Sequence, residues 1–508
     1  MTTKTKPLQG EEDVPPDPAA LIESMRAFGY SLPTAVADLI DNSISAGAKE
    51  ISIEFHWAGP QSTIAVIDDG SGMDADGLRE AMRLGSRSPT EKRAPHDLGR
   101  FGLGLKSAAW SQARSLSVLT RQAEGPIEAR RWDLDHVTET KRWSLLSTVT
   151  DAGEDYRHRL SRQPQGTIVL LEHADRLVGP EAPDDVAAHD RFLRATRTTH
   201  EHLAMVFHRF LVGRNAIRLS VNGAGVDPWD PFLESHPATQ RLQAEIIPSA
   251  SGRIEVVPFV LPHVSKLTSA DHSGAAGLAG WNGQQGFYVY RGKRLLVAGG
   301  WLGLKNMQQE EHLKLARVRI DLDNSQDELW QIDVRKATAR IPGPLQEQLK
   351  RIAQVTRKKA REAYAFRGKT VARAGRRSTE LNFVWETKTV RGGGRRFSVN
   401  RAHPVLLALA DDTTPARGAI EATLRLVEEN LPIEAIVLES REHPDFARPD
   451  PFSDSTREVN EMLRRAHAAM VEKGADPTSA LGALASVEPF DSHPELVAVL
   501  YEELELER

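Results

Sequence analysis

Four residues on one helical stripe, Asp38, Asp41, Asn42 and Ser45, recur at i, i+3, i+4 and i+7 within Thr34 to Ala46. Val36, Leu39, Ile40 and Ile44 form the opposite, apolar stripe. A carboxylate and an amide one turn apart can orient a water or present oxygen to a cation, although the same pattern also describes the wet face of a surface helix. A strand over Thr63 to Ile67 then ends in Asp68-Asp69-Gly70-Ser71-Gly72-Met73, which places a carboxylate at a strand end before a glycine turn. About thirty residues on, Gly99-Arg100-Phe101-Gly102-Leu103-Gly104-Leu105-Lys106-Ser107-Ala108 opens a helix. Glycines at a helix start let backbone amides approach an anion, and the helix dipole favours negative charge there. Gly166-Thr167 begins an apolar strand.

The elements that would position these residues are mixed α/β. Ile51, Ile53 and Phe55 alternate as in a half-buried strand, as do Ile64 and Val66, and further strands are predicted over 115–120, 127–134 and 167–171. Helices are predicted over 34–46, 74–84 and 103–113, followed by a long one over 190–211. A second strand-rich region includes 216–222, 286–290 and 318–322, and 346–366 reads as one long basic helix. From His403 onward, apolar helical stretches alternate with proline-containing breaks.

The ordered array Ala37-Asp38-Leu39-Ile40-Asp41-Asn42, Asp68 to Gly72, Gly99 to Ala108 and Gly166-Thr167 resembles the GHKL ATPase superfamily, which includes DNA gyrase B, the ninety-kilodalton heat-shock chaperone, histidine kinases and MutL. Within it, Leu-Ile-Asp-Asn-Ser and Gly-Arg-Phe-Gly-Leu-Gly-Leu-Lys-Ser look most like MORC ATPases and their prokaryotic MutL-like relatives. The resemblance implies an α+β chain: a Bergerat-type α/β sandwich over 21–211 after a tail over 1–20, an S5-like transducer domain over 212–345, a basic helix and linker over 346–400, and an α-rich domain over 401–508.

Carried over residue by residue, Asn42 is the Mg²⁺ ligand, an amide oxygen suited to a hard cation. Asp68 takes the adenine amino proton, with Gly70 and Gly72 close to purine and sugar and Thr167 supporting that contact. Gly99, Gly102 and Gly104 cradle the phosphates with Lys106 nearby, and Met73, Leu103 and Leu105 belong to the same ATP-binding stretches. The polar segment Gly85 to Pro95 corresponds to a lid. MutL and MORC proteins carry a water-activating glutamate four residues before the metal-binding asparagine; here Asp38 holds that place, one methylene shorter, so hydrolysis is expected to be slow. Gly286 to Leu295 and Trp330 to Lys336 resemble the transducer, in which a loop lysine reaches the γ-phosphate; Lys336 is the first choice and Lys293 the second.

The implied activity is Mg-dependent hydrolysis of ATP to ADP and phosphate, driving an ATP-gated homodimeric clamp on DNA. The related bacterial proteins are associated with restriction and antiphage defence, so partner proteins of such a system are implied too. A heat-shock-type chaperone and an inactive ATP-binding adaptor remain alternatives. A histidine kinase would need a phosphoacceptor histidine ahead of the site, and residues 1–36 contain none.

Composition sets the outer bounds. With 508 residues the chain has room for about three domains at roughly 150 residues each. Its 40% hydrophobic and 27% charged content argues against wholesale disorder. The absence of cysteine excludes disulfides, thiolate metal sites and a cysteine nucleophile. No apolar run reaches the roughly 18 residues of a membrane span, and the first ten residues are polar, so a cytoplasmic protein is expected.

The net charge of −5 is unevenly spread: Leu349 to Arg396 carries 15 Lys/Arg against three Glu, while Arg401 to Arg508 carries 10 basic and 22 acidic residues. A basic strip of this kind binds phosphate backbones or pairs with acidic protein surface. Lys350, Arg351, Arg357, Lys358, Lys359 and Arg361 are its candidate DNA contacts. His403, His443 and His493 each precede a proline and read as structural rather than metal-binding.

Overall fold

The computed structural model describes residues 16–27, 29–85, 104–123, 125–179, 182–249, 252–327, 329–332, 338–365, 384–389, 395–409, 416–429, 431 and 456–506. The chain divides into two compact units, Met1–Leu261 with Gly274–Ala360, and Pro262–Ser273 with Arg361–Arg508.

In the first unit, α1 (Pro18–Arg26) and α2 (Leu32–Ser45) precede β1 (Glu50–His56) and β2 (Thr63–Asp68). Next come α3 (Ala75–Met82), α4 (Gly104–Trp110), β3 (Ser115–Arg121), β4 (Ile127–Asp133), α5 (Leu134–Thr140), α6 (Asp151–Leu160) and β5 (Gly166–Glu172). The module closes with α7 (Asp175–Val178), α8 (Val186–Val206), β6 (Arg218–Val221) and β7 (Ala224–Gly225). The seven strands form one sheet in the order β4-β3-β5-β2-β1-β6-β7. Every neighbouring pair is antiparallel except β1 with β6.

Strand periodicity explains how both faces of this sheet are filled. Ile64, Val66, Leu116, Val118, Val169 and Leu171 join the core that includes Val36, Leu39 and Ile40 of α2. Their alternates Ala65, Ile67, Leu119, Ile168 and Leu170 form a second cluster on the opposite face, closed by Leu160, Ala152 and Tyr156 of α6. A one-residue slip in register would exchange the two sets. The start of α2 is set by Ser31, whose hydroxyl accepts from Thr34 N at 3.4 Å, and by Pro33 in the first turn.

The same unit contains a second sheet. Its strands are β8 (Gln240–Arg241), β9 (Glu245–Ser249), β10 (Gly252–Val260), β11 (Gly286–Arg291), β12 (Arg294–Ala298) and β13 (Ala316–Leu322). The order is β12-β11-β13-β10-β8, with β9 also on β10, and β11 runs parallel to β13, making the sheet mixed. Val257, Phe259, Tyr288, Tyr290 and Leu295 of this sheet belong to the same apolar core as α2, so the two sheets share one interior. A 20-residue helix, Gln346–Ala365, follows.

The second unit pairs a hairpin, Trp385–Thr389 with Arg395–Val399, with helices Pro404–Leu409, Ala416–Glu429, Thr456–Glu472, Pro477–Leu484 and Pro494–Leu506. Val459, Leu463, Leu481, Leu484, Phe490 and Leu500 form its core. The architecture is therefore α+β, with a helical C-terminal region.

Most predicted elements appear within a few residues of their expected ends, and the differences have local causes. The tail expected through residue 20 gives way at Pro18 to α1, capped by Asp17, whose carboxylate accepts from Ala20 N at 2.8 Å. The stretch read as linker contains two antiparallel strands, Trp385–Thr389 and Arg395–Val399.

Candidate functional site

The polar stripe of α2 divides sharply by burial. Asp38 and Asp41 are 2% and 1% exposed, whereas Asn42, one residue on, is exposed. Asp38 Oδ2 accepts a hydrogen bond from the Tyr30 hydroxyl at 2.8 Å. Gly104, the first residue of α4, faces the same carboxylate: a side-chain carbon there would lie 3.7 Å from Asp38 Oδ2.

A second carboxylate sits at the end of β2. Asp68 is buried; its Oδ2 accepts from Ser43 Oγ at 2.7 Å and its Oδ1 from Gly70 N at 2.9 Å. Burial pushes its pKa above the ordinary aspartate value, and the bonds from Ser43, Gly70 and the Thr167 backbone pull against that rise. Thr167 is the register partner of Asp68 on β5. Its hydroxyl lies 3.0 Å from that of Thr120 on β3, and Thr120 Oγ1 also accepts from Met73 N at 2.9 Å. Three adjacent strands thus present one polar floor, with half-buried Met73 at its edge.

Two glycines make this floor possible. Gly72 has φ +65°, and a side-chain carbon there would meet Arg121 O at 2.0 Å; at Gly166, with φ +144°, one would meet Asp68 O at 2.2 Å. Both positions combine a backbone conformation costly for other residues with a backbone approach that leaves no room for a Cβ.

Lys106 takes a different direction from the one expected of a phosphate contact. It is 2% exposed and its ammonium donates to Ala81 O at 2.8 Å, at the end of α3; burial lowers its pKa to about 8. Leu105 beside it is half-buried. Gly99, Gly102, Leu103, residues 86–95 of the expected lid and Lys336 lie outside the described residues. Lys293 is exposed in the Gly292-Lys293 turn between β11 and β12, with Nζ 6.0 Å from the Phe210 ring.

Its neighbour Arg294 is the cation that reaches the acidic stripe. Arg294 Nε donates to Asp41 Oδ1 at 3.3 Å, and Nη2 lies 3.9 Å from Asp38 Oδ1. Tyr30, Ser43, Thr120 and Arg294 all take part in this arrangement, and none was singled out from the sequence. For Arg294 a signal existed: an arginine opening an apolar strand, ahead of Leu295 and Leu296, needs a buried carboxylate partner.

The junction behind Arg294 carries histidines held neutral. His208 is 7% exposed with Nε2 2.8 Å from the Tyr290 hydroxyl, and burial beside Arg209 lowers its pKa to about 3. The unfolded chain takes up a proton here below about pH 6.5 while the folded chain does not, so stability falls as pH drops from 6.5 toward 3. At roughly 1.4 kcal/mol per pH unit, the loss reaches about 2–3 kcal/mol by pH 4.5. In denaturant melts at pH 7 and 4.5, His208→Gln is expected to lose less stability on acidification than the parent chain. Equal losses would refute the assignment.

On the long basic helix, Arg351 pairs with Glu245 at 2.5 Å and Arg357 with Glu310 at 2.8 Å, with Arg357 also over the Trp301 ring. Lys350 is half-buried; Lys358, Lys359 and Arg361 are exposed. Of the three proline-flanked histidines, His403 is buried, His493 lies 3.1 Å from Glu495 Oε1, and His443 is outside the described residues.

Residues 30–167 match the family of histidine kinase-, DNA gyrase B- and HSP90-like ATPases. The DNA mismatch repair protein MutL of Paramagnetospirillum magneticum is 32% identical over 193 residues, covering 38% of this chain and 28% of that protein. MutL of Streptococcus sanguinis is 33% identical over 140 residues, 27% of this chain and 19% of its own. The ATPase morc-1 of Caenorhabditis elegans is 31% identical over 96 residues, 19% and 11% of the two chains. The matched stretch thus spans under a third of the length of each of these relatives. The stretch from residue 30 to 167 is a GHKL-superfamily ATPase domain. Its relatives are the ATPase domains of MutL and MORC proteins. Among the described residues, no helix is long and apolar enough to cross a membrane.

Proposed function

We propose that the chain hydrolyses Mg-ATP to ADP and phosphate and uses the nucleotide cycle to switch a dimeric clamp on DNA. The observation that carries this reading is the convergence of buried Asp38, exposed Asn42 and hydrogen-bonded Asp68 on elements that the seven-stranded sheet brings together. Asp68, fixed by Ser43 and Gly70, accepts the adenine amino group, and Thr167 backs that contact. Gly70, Gly72 and Met73 line the base and sugar. In this reading the phosphate contacts fall to Gly99, Gly102, Leu103, Gly104 and Leu105, with Lys106 adding charge nearby and Lys336, or else Lys293, as the γ-phosphate sensor.

The residues present fit a magnesium ion shared with the nucleotide. Asn42 offers an exposed amide oxygen, a donor suited to a hard cation, and would hold the ion. Bound there, the ion neutralises charge on the phosphate oxygens. Asp38 orients the attacking water and takes its proton as the bond to the γ-phosphorus forms and that to ADP breaks. Tyr30 fixes the carboxylate for that task.

The exposed bases Lys358, Lys359 and Arg361 support duplex DNA as the acted-on ligand, with Lys350, Arg351 and Arg357 at the inner edge of the same helix. The resemblance to prokaryotic MORC-like proteins supports a place in restriction or antiphage defence, with partner proteins and ATP-dependent homodimerisation. ATP turnover measured with and without duplex DNA tests the reading. DNA is expected to alter turnover and to be retained less as salt rises. Triple charge reversal at Lys358, Lys359 and Arg361 is expected to weaken retention by at least tenfold while leaving DNA-free turnover within twofold. Retention unchanged by the reversal would remove DNA from the account.

A further inference from the structure

The acidic pair of α2 meets a cation from the second sheet. Asp38 and Asp41 lie three residues apart, on the same helix face, and both are almost wholly buried. Among the described residues Arg294, itself 3% exposed, lies within ion-pair distance of both and reaches them from the second sheet.

Its anchoring is asymmetric. Arg294 Nη1 donates to Leu295 O of its own strand at 2.6 Å, and the guanidinium lies 5.5 Å from the Phe207 ring centroid. The head is thus fixed to β12 and to the segment following α8, and only Nε and Nη2 turn toward α2. The position of the guanidinium is thus set by β12, while the other oxygen of Asp38 is held by Tyr30. The neighbouring Lys293 is exposed, with its Nζ 6.0 Å from the Phe210 ring.

We propose that Arg294 is a positioning residue for hydrolysis: it orients the Asp38–Asp41 pair, so that the placement of the second sheet sets the competence of the water-activating carboxylate. This rests on the reading of Asp38 as that carboxylate. Arg294 acts through Asp38 and Asp41 rather than by touching nucleotide, so its removal should separate turnover from binding.

The test compares Arg294→Gln, Arg294→Lys and Asp38→Asn in the full chain, reading kcat and KM for ATP, affinity for a nonhydrolysable ATP analogue by calorimetry, and the unfolding midpoint without nucleotide. Arg294→Gln is expected to lower kcat at least tenfold with analogue affinity within threefold, and Arg294→Lys to recover part of the loss. In the nucleotide-free chain, Arg294→Gln should lower the unfolding midpoint by removing a buried donor to Asp41.

Arg294→Gln with wild-type kcat, beside an inactive Asp38→Asn, overturns the positioning role and leaves the Asp38 reading standing. Full turnover in Asp38→Asn, or a parent chain that binds ATP without hydrolysing it, overturns both. A loss of affinity equal to the loss of kcat makes Arg294 a binding or structural residue and also overturns the proposal. If Arg294→Gln fails to fold, Arg294→Lys decides, since a folded lysine variant with unchanged kcat at shifted geometry contradicts the role.

Discussion

Asp38→Asn is expected to reduce ATP turnover by at least a hundredfold while nucleotide affinity changes little. General-base positioning contributes about 10²–10⁴ in rate, and an amide of the same shape cannot take the proton of the attacking water. The fold should tolerate the change: Tyr30 can still donate to the remaining oxygen, and the apolar stripe of α2 is untouched. Single-turnover kinetics alongside a binding isotherm check this. Parent-like turnover would take the base assignment away from Asp38.

Asp68→Asn should produce the complementary phenotype, with affinity for adenine nucleotides reduced by about 10- to 150-fold, corresponding to the roughly 1.5–3 kcal/mol of a hydrogen bond to a charged group. Asp68 can accept from Ser43, Gly70 and a ligand amine at once because both of its oxygens are acceptors. An asparagine has one acceptor oxygen, so one of these donors would face an amide NH₂ group. The Ser43 hydroxyl can reverse and accept from that group, which protects the fold, and the ligand amine bears the loss. An isotherm indistinguishable from the parent's would show that adenine is not read at Asp68.

The two variants act on opposite ends of one proposed ligand, which makes their separation informative. A chain in which Asp38→Asn affects rate alone and Asp68→Asn affects affinity alone has its carboxylates divided by role, as their surroundings suggest. Asp38 is coupled to a cation from another sheet, and Asp68 is enclosed by neutral donors.

The sequence made the local parts of the site legible. Helix α2 announced itself by two stripes at helical spacing, and β2 by alternation ending in an acidic-glycine turn. Where local pattern and tertiary burial agreed, even boundaries were close: the strand expected over 127–134 spans Ile127–Asp133. Helix α6 was not legible because only Gly153 and Leu160 in it are buried, too few to leave a periodic signature. Helix α1 was hidden by a proline- and acid-rich context, although Asp17-Pro18 is a helix-start signal in its own right.

The longer-range parts of the site lie beyond any window on the sequence. Arg294 meets Asp41 across 253 positions, and Tyr30 meets Asp38 only because the chain turns at Ser31 to begin α2. The Thr120–Thr167 contact depends on β3 and β5 being neighbours, which strand periodicity cannot reveal. Lys106 shows the converse. Its place in the glycine-led motif suggested an exposed charge, while its ammonium turns to the C-terminal end of α3 and is buried against Ala81 O.

The most direct test of the account is an isothermal titration of the purified full chain with ATP, with and without magnesium. A saturable heat with one site per chain, strengthened by magnesium and absent with GTP, is the predicted result. No association heat under either condition, or equal heat with GTP, would contradict it.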